Sequence, residues 1–486
     1  MQRESTVAES EHTDTGHIKK VMMGSAAGTI VEWFDFALFG YMAVYIAQNF
    51  FPTEDKMAGL LATFAVFLVS FIVRPLGGIY FGRLGDRIGR KKILALTVLL
   101  MSGSTAAIGL IPTYDSIGIW APVLLIIIRC IQGLSAGGEY TGATIYTVEH
   151  SPMNKRNSYA WAMSGATYFA FALAAGISAG LAAIVGTEAM GDWGWRTIFL
   201  LAVPMGIVAF FIRDHLAESP EFQQMRAEKK GQLSYSASQV FKAEGSNIVK
   251  LGGFIVLYAL SFYIFSTYMN TFLRTVIGLS SVQSLTANMV ALLFVTALTP
   301  LAGVISDRVG RRRMMQFAAV WHALFTIPAY MSVSKGASLE AAIFGMLIIG
   351  IGQVAASVVA VTLLSEMFPT DMRYTASSMC YNITFAIFGG TAPYLAIWLT
   401  AQTGSYLAPA FYVTVVAVLC FFWVTVLMPE TANKPLRRYH TAPAQDAKAA
   451  VSLGKACASE ALTIQDGFPS STALFYRAVF FMEKEH

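Results

Sequence analysis

Gly82-Arg83-Leu84-Gly85-Asp86-Arg87-Ile88-Gly89-Arg90-Lys91-Lys92 is a strongly basic stretch set between two long apolar segments. Its glycines permit tight backbone geometry, and Asp86 lies among five cations with which it can pair. The same arrangement returns 221 residues later as Gly303-Val304-Ile305-Ser306-Asp307-Arg308-Val309-Gly310-Arg311-Arg312-Arg313. In both copies the aspartate follows the first glycine by four residues and precedes the last by three. A repeat at close to half the chain length predicts a tandem duplication, each copy a short turn between two apolar helices.

A second landmark repeats at nearly the same offset. Glu149, Pro152 and Arg156 match Glu366, Pro369 and Arg373 with identical internal spacing, 217 residues apart. Glu218-Ser219-Pro220 and Pro429-Glu430-Thr431 form a looser third pair.

The chain of 486 residues is 55% hydrophobic and 13% charged, with a mean hydropathy of +0.56. Soluble domains carry roughly 25% charged residues, so a soluble enzyme is excluded. Apolar segments of about 20 residues recur, each long enough to cross a bilayer core of about 30 Å as a helix. Twelve spans are expected, six over 21–46, 57–82, 92–112, 121–147, 159–186 and 194–213. The other six cover 247–273, 283–305, 313–334, 339–366, 374–400 and 406–428. The expected fold is therefore an all-α membrane protein of twelve transmembrane helices in two six-helix halves. An even number of spans per half keeps both copies in one orientation, related by a pseudo-two-fold axis along the membrane normal. The expected units are an N-terminal segment 1–20, a first half 21–213, a polar linker 214–246 and a second half 247–428. A tail follows over 429–486, expected to be mostly disordered; from about Thr441 it is rich in Ala and Ser, without sustained heptads.

Lys and Arg orient the chain. Twenty-eight of the 34 lie in the N-terminus, the tail and the loops after even-numbered spans. The opposite loops hold Lys56, Arg274 and Lys335. By the positive-inside rule both termini are cytoplasmic. The net charge of +5 thus belongs to loops at a membrane rather than to a nucleic-acid surface. Cys130, Cys380, Cys420 and Cys457 show no paired spacing, so neither disulfide framework nor metal site is expected. The segment before the first span mixes acids with bases and carries no cleavable-signal pattern. Walker, Gly-x-Ser-x-Gly and His-Glu-x-x-His motifs are missing, and no cofactor is expected.

The two Gly-x-x-x-Asp-Arg-x-Gly-Arg-Arg/Lys stretches resemble the signature of the major facilitator superfamily. Within it the chain is similar to the metabolite:proton symporter family. That likeness rests on Glu32-Trp33-Phe34-Asp35-Phe36, Arg74-Pro75-Leu76-Gly77-Gly78, Gly137-Gly138-Glu139-Tyr140-Thr141-Gly142, Asp192-Trp193-Gly194-Trp195-Arg196 and Pro429-Glu430-Thr431-Ala432-Asn433-Lys434-Pro435-Leu436. It covers residues 17–438. Members carry proline and betaine, 2-oxoglutarate, citrate or shikimate, and the stretch 111–122 looks closest to the proline/betaine branch. The resemblance implies proton-coupled symport of a small organic acid or zwitterion by alternating access in a bacterial inner membrane. Its partners would be the solute, H+ and membrane lipid, with the chain acting as a monomer. An exporter or uniporter on the same scaffold is the alternative; a membrane-embedded enzyme or receptor is a third class, against which the duplicated loops stand.

Ionisable groups inside a span are expensive and usually face the bundle interior. Span one holds Glu32 and Asp35, three residues apart on one helical face. Span two holds Arg74; span four holds Arg129 and Glu139, about 15 Å apart on a continuous helix. The second half offers Tyr258, Tyr263, Tyr268, Asn270, Gln353, Tyr381 and Asn382 instead. Proton coupling is therefore expected from Asp35, Glu139, Arg129 and Glu32. Arg129-x-x-Gln132-Gly133 also resembles the superfamily's span-four motif, whose arginine is linked to proton movement. Substrate contacts are expected from Arg74, Tyr258, Tyr263, Gln353 and Asn382. The competing reading makes Asp35 and Glu139 ion-pair partners of Arg74 or Arg129 that only lock helices together. Arg74, which precedes Pro75, can also satisfy carbonyls freed by a kink. Gly82, Asp86, Arg87, Gly89 and Arg90, with Asp307, Arg308, Gly310 and Arg311, are expected to latch the halves in one state. His322 reads as a packed histidine.

Overall fold

The structure is a computed structural model that describes residues 15–88, 90–137, 139–215 and 235–437. The regular elements in these residues are helices. Nine runs are long and apolar enough to cross a membrane outright. One of them, Met153–Val208, holds two spans, broken at Gly186 (φ 80°) and at the π-turn Met190–Gly194. The bent pair at the start and the shorter apolar stretch Leu96–Leu110 complete twelve.

Span one is Thr15–Tyr41, bent by 57° at Met42 into the arm Ala43–Phe50. Spans two and three are Lys56–Ile88 and Arg90–Leu110. Span four is broken, as Trp120–Ser135 and Glu139–Glu149. Span five is Arg156–Ala189, and span six is Trp195–Leu200 with Ala202–His215. Span seven runs Ala237–Tyr263, passes the π-turn Ile264–Tyr268 and ends as Met269–Thr275. Spans eight, nine and ten are Ser281–Val309, Arg311–Gly336 and Leu339–Glu366. Span eleven is Arg373–Thr384, the π-turn Phe385–Gly389 and Ala392–Thr403; span twelve is Ala408–Leu427.

Four expectations change. The helix of span seven starts ten residues before 247, inside the segment read as linker. Ser236 and Gln239 form a reciprocal capping box there, satisfying end groups that a helix leaves open. The following turns carry Lys242 and Glu244, so hydropathy alone hid them. Second, the duplicated stretch is not a loop. The chain is helical through Ile88 in one copy and Val309 in the other. Gly310 (φ 97°) alone makes the turn to span nine. Third, the break after Ser135 means that Arg129 and Glu139 do not share one continuous helix. Fourth, residues 429–437, expected within a disordered tail, are packed on the basic face, as their contacts below show. The N-terminal residues 1–14 and the chain from Arg438 lie outside the described residues.

The halves approach most closely where span five meets span eight. A methyl on Gly303 would stand 2.5 Å from the carbonyl oxygen of Asn157, and one on Gly165 2.9 Å from Thr299 Oγ1. The first glycine of the second motif copy is therefore needed for contact between the halves. Arg196 closes the end of span three by donating to the carbonyls of Gly109 (2.9 Å) and Ile111 (2.6 Å).

The orientation read from Lys and Arg has a direct check. Cysteines placed at Lys56 or Lys335 are expected to label from outside in intact cells, and ones at Lys91 or Arg312 are not. A reversed pattern overturns the orientation.

Candidate functional site

Spans two and four touch backbone to backbone. Methyls on Gly77, Gly133 and Gly137 would overlap the carbonyls of Leu134, Ser70 and Arg74, and one on Gly78 would stand 2.6 Å from that of Gly137. Small residues let membrane helices approach this closely. The contact carries two guanidinium groups into the bundle. Arg74 is 2% exposed, with its Cζ 4.1 Å over the Phe36 ring, 4.8 Å over Phe71 and 5.7 Å over Trp33. Its Nε and Nη2 have no hydrogen-bond partner. Arg129 is fully buried over Phe39 (4.2 Å) and Phe67 (5.2 Å). It donates through Nη2 to the Ser70 hydroxyl (2.8 Å) and the Phe67 carbonyl (3.4 Å), and through Nη1 to Gln132 Oε1. Gln132 in turn donates to the Thr105 hydroxyl at 2.7 Å. Arg129 is thus held by spans two, three and four with its Nε left over, while Arg74 keeps both Nε and Nη2 spare.

The second half supplies the facing wall. Tyr263 packs edge-on against Phe71 (5.3 Å) and Phe67 (5.6 Å). Trp33 packs against Tyr140 (5.5 Å) and Phe262 (5.6 Å), Tyr140 lies 5.1 Å from Tyr381, and Tyr381 stacks on Phe385 at 4.1 Å. Tyr258 meets Phe385 at 5.4 Å. The hydroxyls of Tyr140, Tyr263 and Tyr381 are buried without hydrogen-bond partners. Aromatic faces attract cations and guanidinium forks fit carboxylates, so both kinds of charge can be held side by side here.

Asp35 is 1% exposed and neither of its oxygens has a hydrogen-bond partner. Its polar neighbours are Ser102 and Thr105 of span three, beyond normal hydrogen-bond geometry. Among the described residues, no ion pair joins it to Arg74 or Arg129. Glu32 is also buried, within electrostatic reach of Asp35, Tyr140, Tyr263 and Tyr381. The side chain of Glu139 lies outside the described residues. Gln353 accepts from the Ser261 hydroxyl and has an unused Nε2; Asn382 donates across the halves to the Gly137 carbonyl at 3.3 Å. His322 is fully buried, with Nδ1 3.5 Å from the Thr326 hydroxyl. Sequence reasoning missed the rings Trp33, Phe36, Phe71, Tyr140, Phe262 and Phe385. Their one signal was position: Trp33 and Phe36 interleave with Glu32 and Asp35, and Tyr140 follows Glu139.

The bundle is shut at both ends. On the basic face Asp307 accepts from the backbone N–H groups of Asn157 (3.1 Å) and Ser158 (2.7 Å), the Ser158 hydroxyl (2.6 Å) and Arg311 Nη1 (2.9 Å). A carboxylate at the start of span five is favoured by that helix's dipole. Glu366 accepts from Arg311 Nε (3.2 Å) and Nη2 (3.0 Å), Arg156 Nη1 (3.3 Å) and the Thr431 hydroxyl (2.6 Å). Arg373 pairs with Glu149 across the halves. Arg156 also donates to the Lys434 carbonyl at 2.8 Å, which ties the 429–437 strap to the first half. Partial burial pushes the Glu430 carboxyl up. The N–H groups of Ala432, Arg311, Arg312 and Thr431 outweigh that and hold it below the usual carboxylate range. Arg308 is exposed. The side chains of Asp86, Arg87 and Arg90, with Gly82 and Gly89, lie outside the described residues. On the opposite face the Tyr41 hydroxyl donates to Asn288 Oδ1 (3.4 Å), Asn270 Nδ2 to the Tyr41 carbonyl (3.4 Å) and the Tyr45 hydroxyl to Ser281 Oγ (3.1 Å).

Known proteins resemble this chain over nearly its whole described length. The family described as sugar (and other) transporters matches residues 21–442. The proline/betaine transporter of Escherichia coli (strain K12) is 37% identical over 440 residues, covering 87% of this chain and 86% of that protein. The glycine betaine/proline/ectoine/pipecolic acid transporter OusA of Dickeya dadantii (strain 3937) is 36% identical over 441 residues, with 87% and 86% covered. Among solved structures, the partially occluded inward-open xylose transporter XylE from E. coli gives a TM-score of 0.69, covering 87% of this chain and 100% of XylE. At 17% identity that likeness shows the fold alone. With both halves, the duplicated stretch and the closed bundle inside the matched region, the chain belongs to the sugar (and other) transporter family of the major facilitator superfamily, a family of transporters and not of enzymes.

Proposed function

We propose that the chain is a secondary active transporter that takes up a small zwitterion of the proline or betaine type together with a proton. One observation carries the reading. Two buried guanidinium groups, each with an unpartnered donor, pack against a cluster of aromatic rings bearing unspent hydroxyls, and this buried cluster would be the closed transport chamber. Arg74 would receive the solute's carboxylate, and the rings around Trp33, Tyr140, Tyr263 and Tyr381 its cationic end. Tyr258, Gln353 and Asn382 would shape the second-half wall. A solute such as citrate or 2-oxoglutarate has no cation to use those rings, and the relatives above are named for proline and betaines. Asp35, with Glu32, Glu139 and Arg129, would carry the proton. The two halves would rock about this chamber, with the Asp307 network and its first-half counterpart at Gly82, Asp86, Arg87, Gly89 and Arg90 breaking as the basic face opens. The chain would work as a monomer in the bacterial inner membrane, with both termini cytoplasmic.

The test uses purified protein in proteoliposomes under an inward proton gradient. Labelled glycine betaine or proline is expected to accumulate, and a protonophore to abolish it. Accumulation indifferent to the gradient overturns the coupling; accumulation of 2-oxoglutarate or citrate in preference overturns the solute class. Solute loss from loaded vesicles in exchange for protons would mark an exporter.

A further inference from the structure

Arg274 lies in the last turn of span seven, on the face opposite the basic loops, at the seam between the halves. Its Cζ sits 4.5 Å over the ring of Tyr45, which belongs to the arm of span one. Its Nη1 is enclosed and has no hydrogen-bond partner. No carboxylate pairs with it among the described residues, and the ring of Tyr45 is what it lies against across the seam. Lys56 and Lys335, the other cations expected on that side, are exposed. A cation drawn out of water without an anion is costly, and a planar fork of donors suits a carboxylate better than any neutral group.

Unspent polar atoms continue inward from it. One turn down span seven, Asn270 holds the Tyr41 carbonyl with Nδ2 and leaves Oδ1 free. Asn288 holds the Tyr41 hydroxyl with Oδ1 and leaves Nδ2 free. Tyr263, in the chamber wall, is about 16 Å from Arg274 along the helix. We propose that Arg274 is an outer capture site for the solute's carboxylate, holding it at the closed gate before Asn288 Nδ2 and then the chamber receive it. This rests on the reading of the cargo as a carboxylate-bearing zwitterion.

The full chain in proteoliposomes is assayed for initial uptake of labelled glycine betaine and proline over a range of external concentrations. Arg274→Gln is expected to raise KM about tenfold with the maximal rate within about twofold of wild type. Arg274→Lys, which keeps the charge without the fork, should fall between. Exchange started from the basic face, where Arg274 is not met first, should keep its half-saturation. An unchanged KM in Arg274→Gln, a loss of maximal rate alone, or equal KM shifts from both faces overturns the capture site. Should Arg274→Gln fail to insert, Arg274→Lys decides alone: a KM at the wild-type value overturns the capture site. If wild type carries neither zwitterion, the functional reading fails, and the KM of whichever carboxylate is carried still decides Arg274.

Discussion

Asp35→Asn is expected to bring proton-driven accumulation down to the outside concentration, at least a tenfold loss, while exchange of solute for solute survives. The carboxyl is buried in span one, and neither oxygen has a hydrogen-bond partner. An ionisable group placed this way inside a membrane bundle is expensive unless it serves the transport path. Its neighbours Ser102 and Thr105 are neutral, so no fixed cation holds it in one charge state in this closed form. A carrier of that kind takes a proton in one access state and gives it up when its surroundings change. Asparagine keeps the volume and removes the proton site, which uncouples movement of the solute from movement of the ion. Uphill uptake and counterflow measured on the same vesicles separate the two. If the variant still concentrates solute under a proton gradient, Asp35 is a structural residue.

The second large effect is expected at Glu366. Its carboxylate lies between Arg311 of its own half and Arg156 of the other, with all three side chains at most 5% exposed. Glu366→Gln leaves buried Arg156 without the carboxylate it meets here and Arg311 with Asp307 alone. Removing one partner of a buried pair costs about 3–5 kcal/mol. Part of that cost falls on the closed basic face alone, because Arg156 meets Glu366 only while the halves are together. A part of only about 1.4 kcal/mol would already change the balance of states tenfold. The readout is thiol labelling at Ser378→Cys, whose native hydroxyl lies 2.9 Å from that of Thr141 across the same seam. Labelling should rise steeply in the Glu366→Gln background. Unchanged labelling would mean that Glu366 braces one half and does not hold the two together.

Much of the architecture was legible because its signals are long. Twenty-residue apolar runs and a motif repeated at half the chain length survive errors of several residues at each boundary. What escaped was short or polar. Span seven begins with a capping box and charged turns, so hydropathy placed its start too late. The strap at 429–437 has no apolar run, and its order comes from Glu430, Thr431 and the Lys434 carbonyl meeting groups far away in sequence. In the chamber the charged residues stood out because charge is rare in a span. The rings did not, because Phe and Trp are the normal content of any apolar helix. The competing reading, that Asp35 pairs with a buried arginine, was chemically reasonable. It does not describe this closed state, since both arginines turn to rings, and Arg129 also to Gln132 and Ser70.

The glycine seam between spans two and four sets a condition on how the carrier binds at its two openings. Backbone lies against backbone there, so no side chains are available to repack, and both guanidiniums ride on one stiff pair of helices. Rocking the halves changes what faces that pair and leaves its own spacing alone. On the proposed reading, recognition of charge is then the same whether the chamber faces one side or the other. Apart from the outer capture proposed at Arg274, any preference of the chamber for one side has to come from the uncharged groups opposite, chiefly Tyr263, Tyr381 and Gln353, since only a differential interaction can bias two states. On that reading the charged pair does not trap the cargo on either side, and the sign of the ion gradient would decide which way the solute goes.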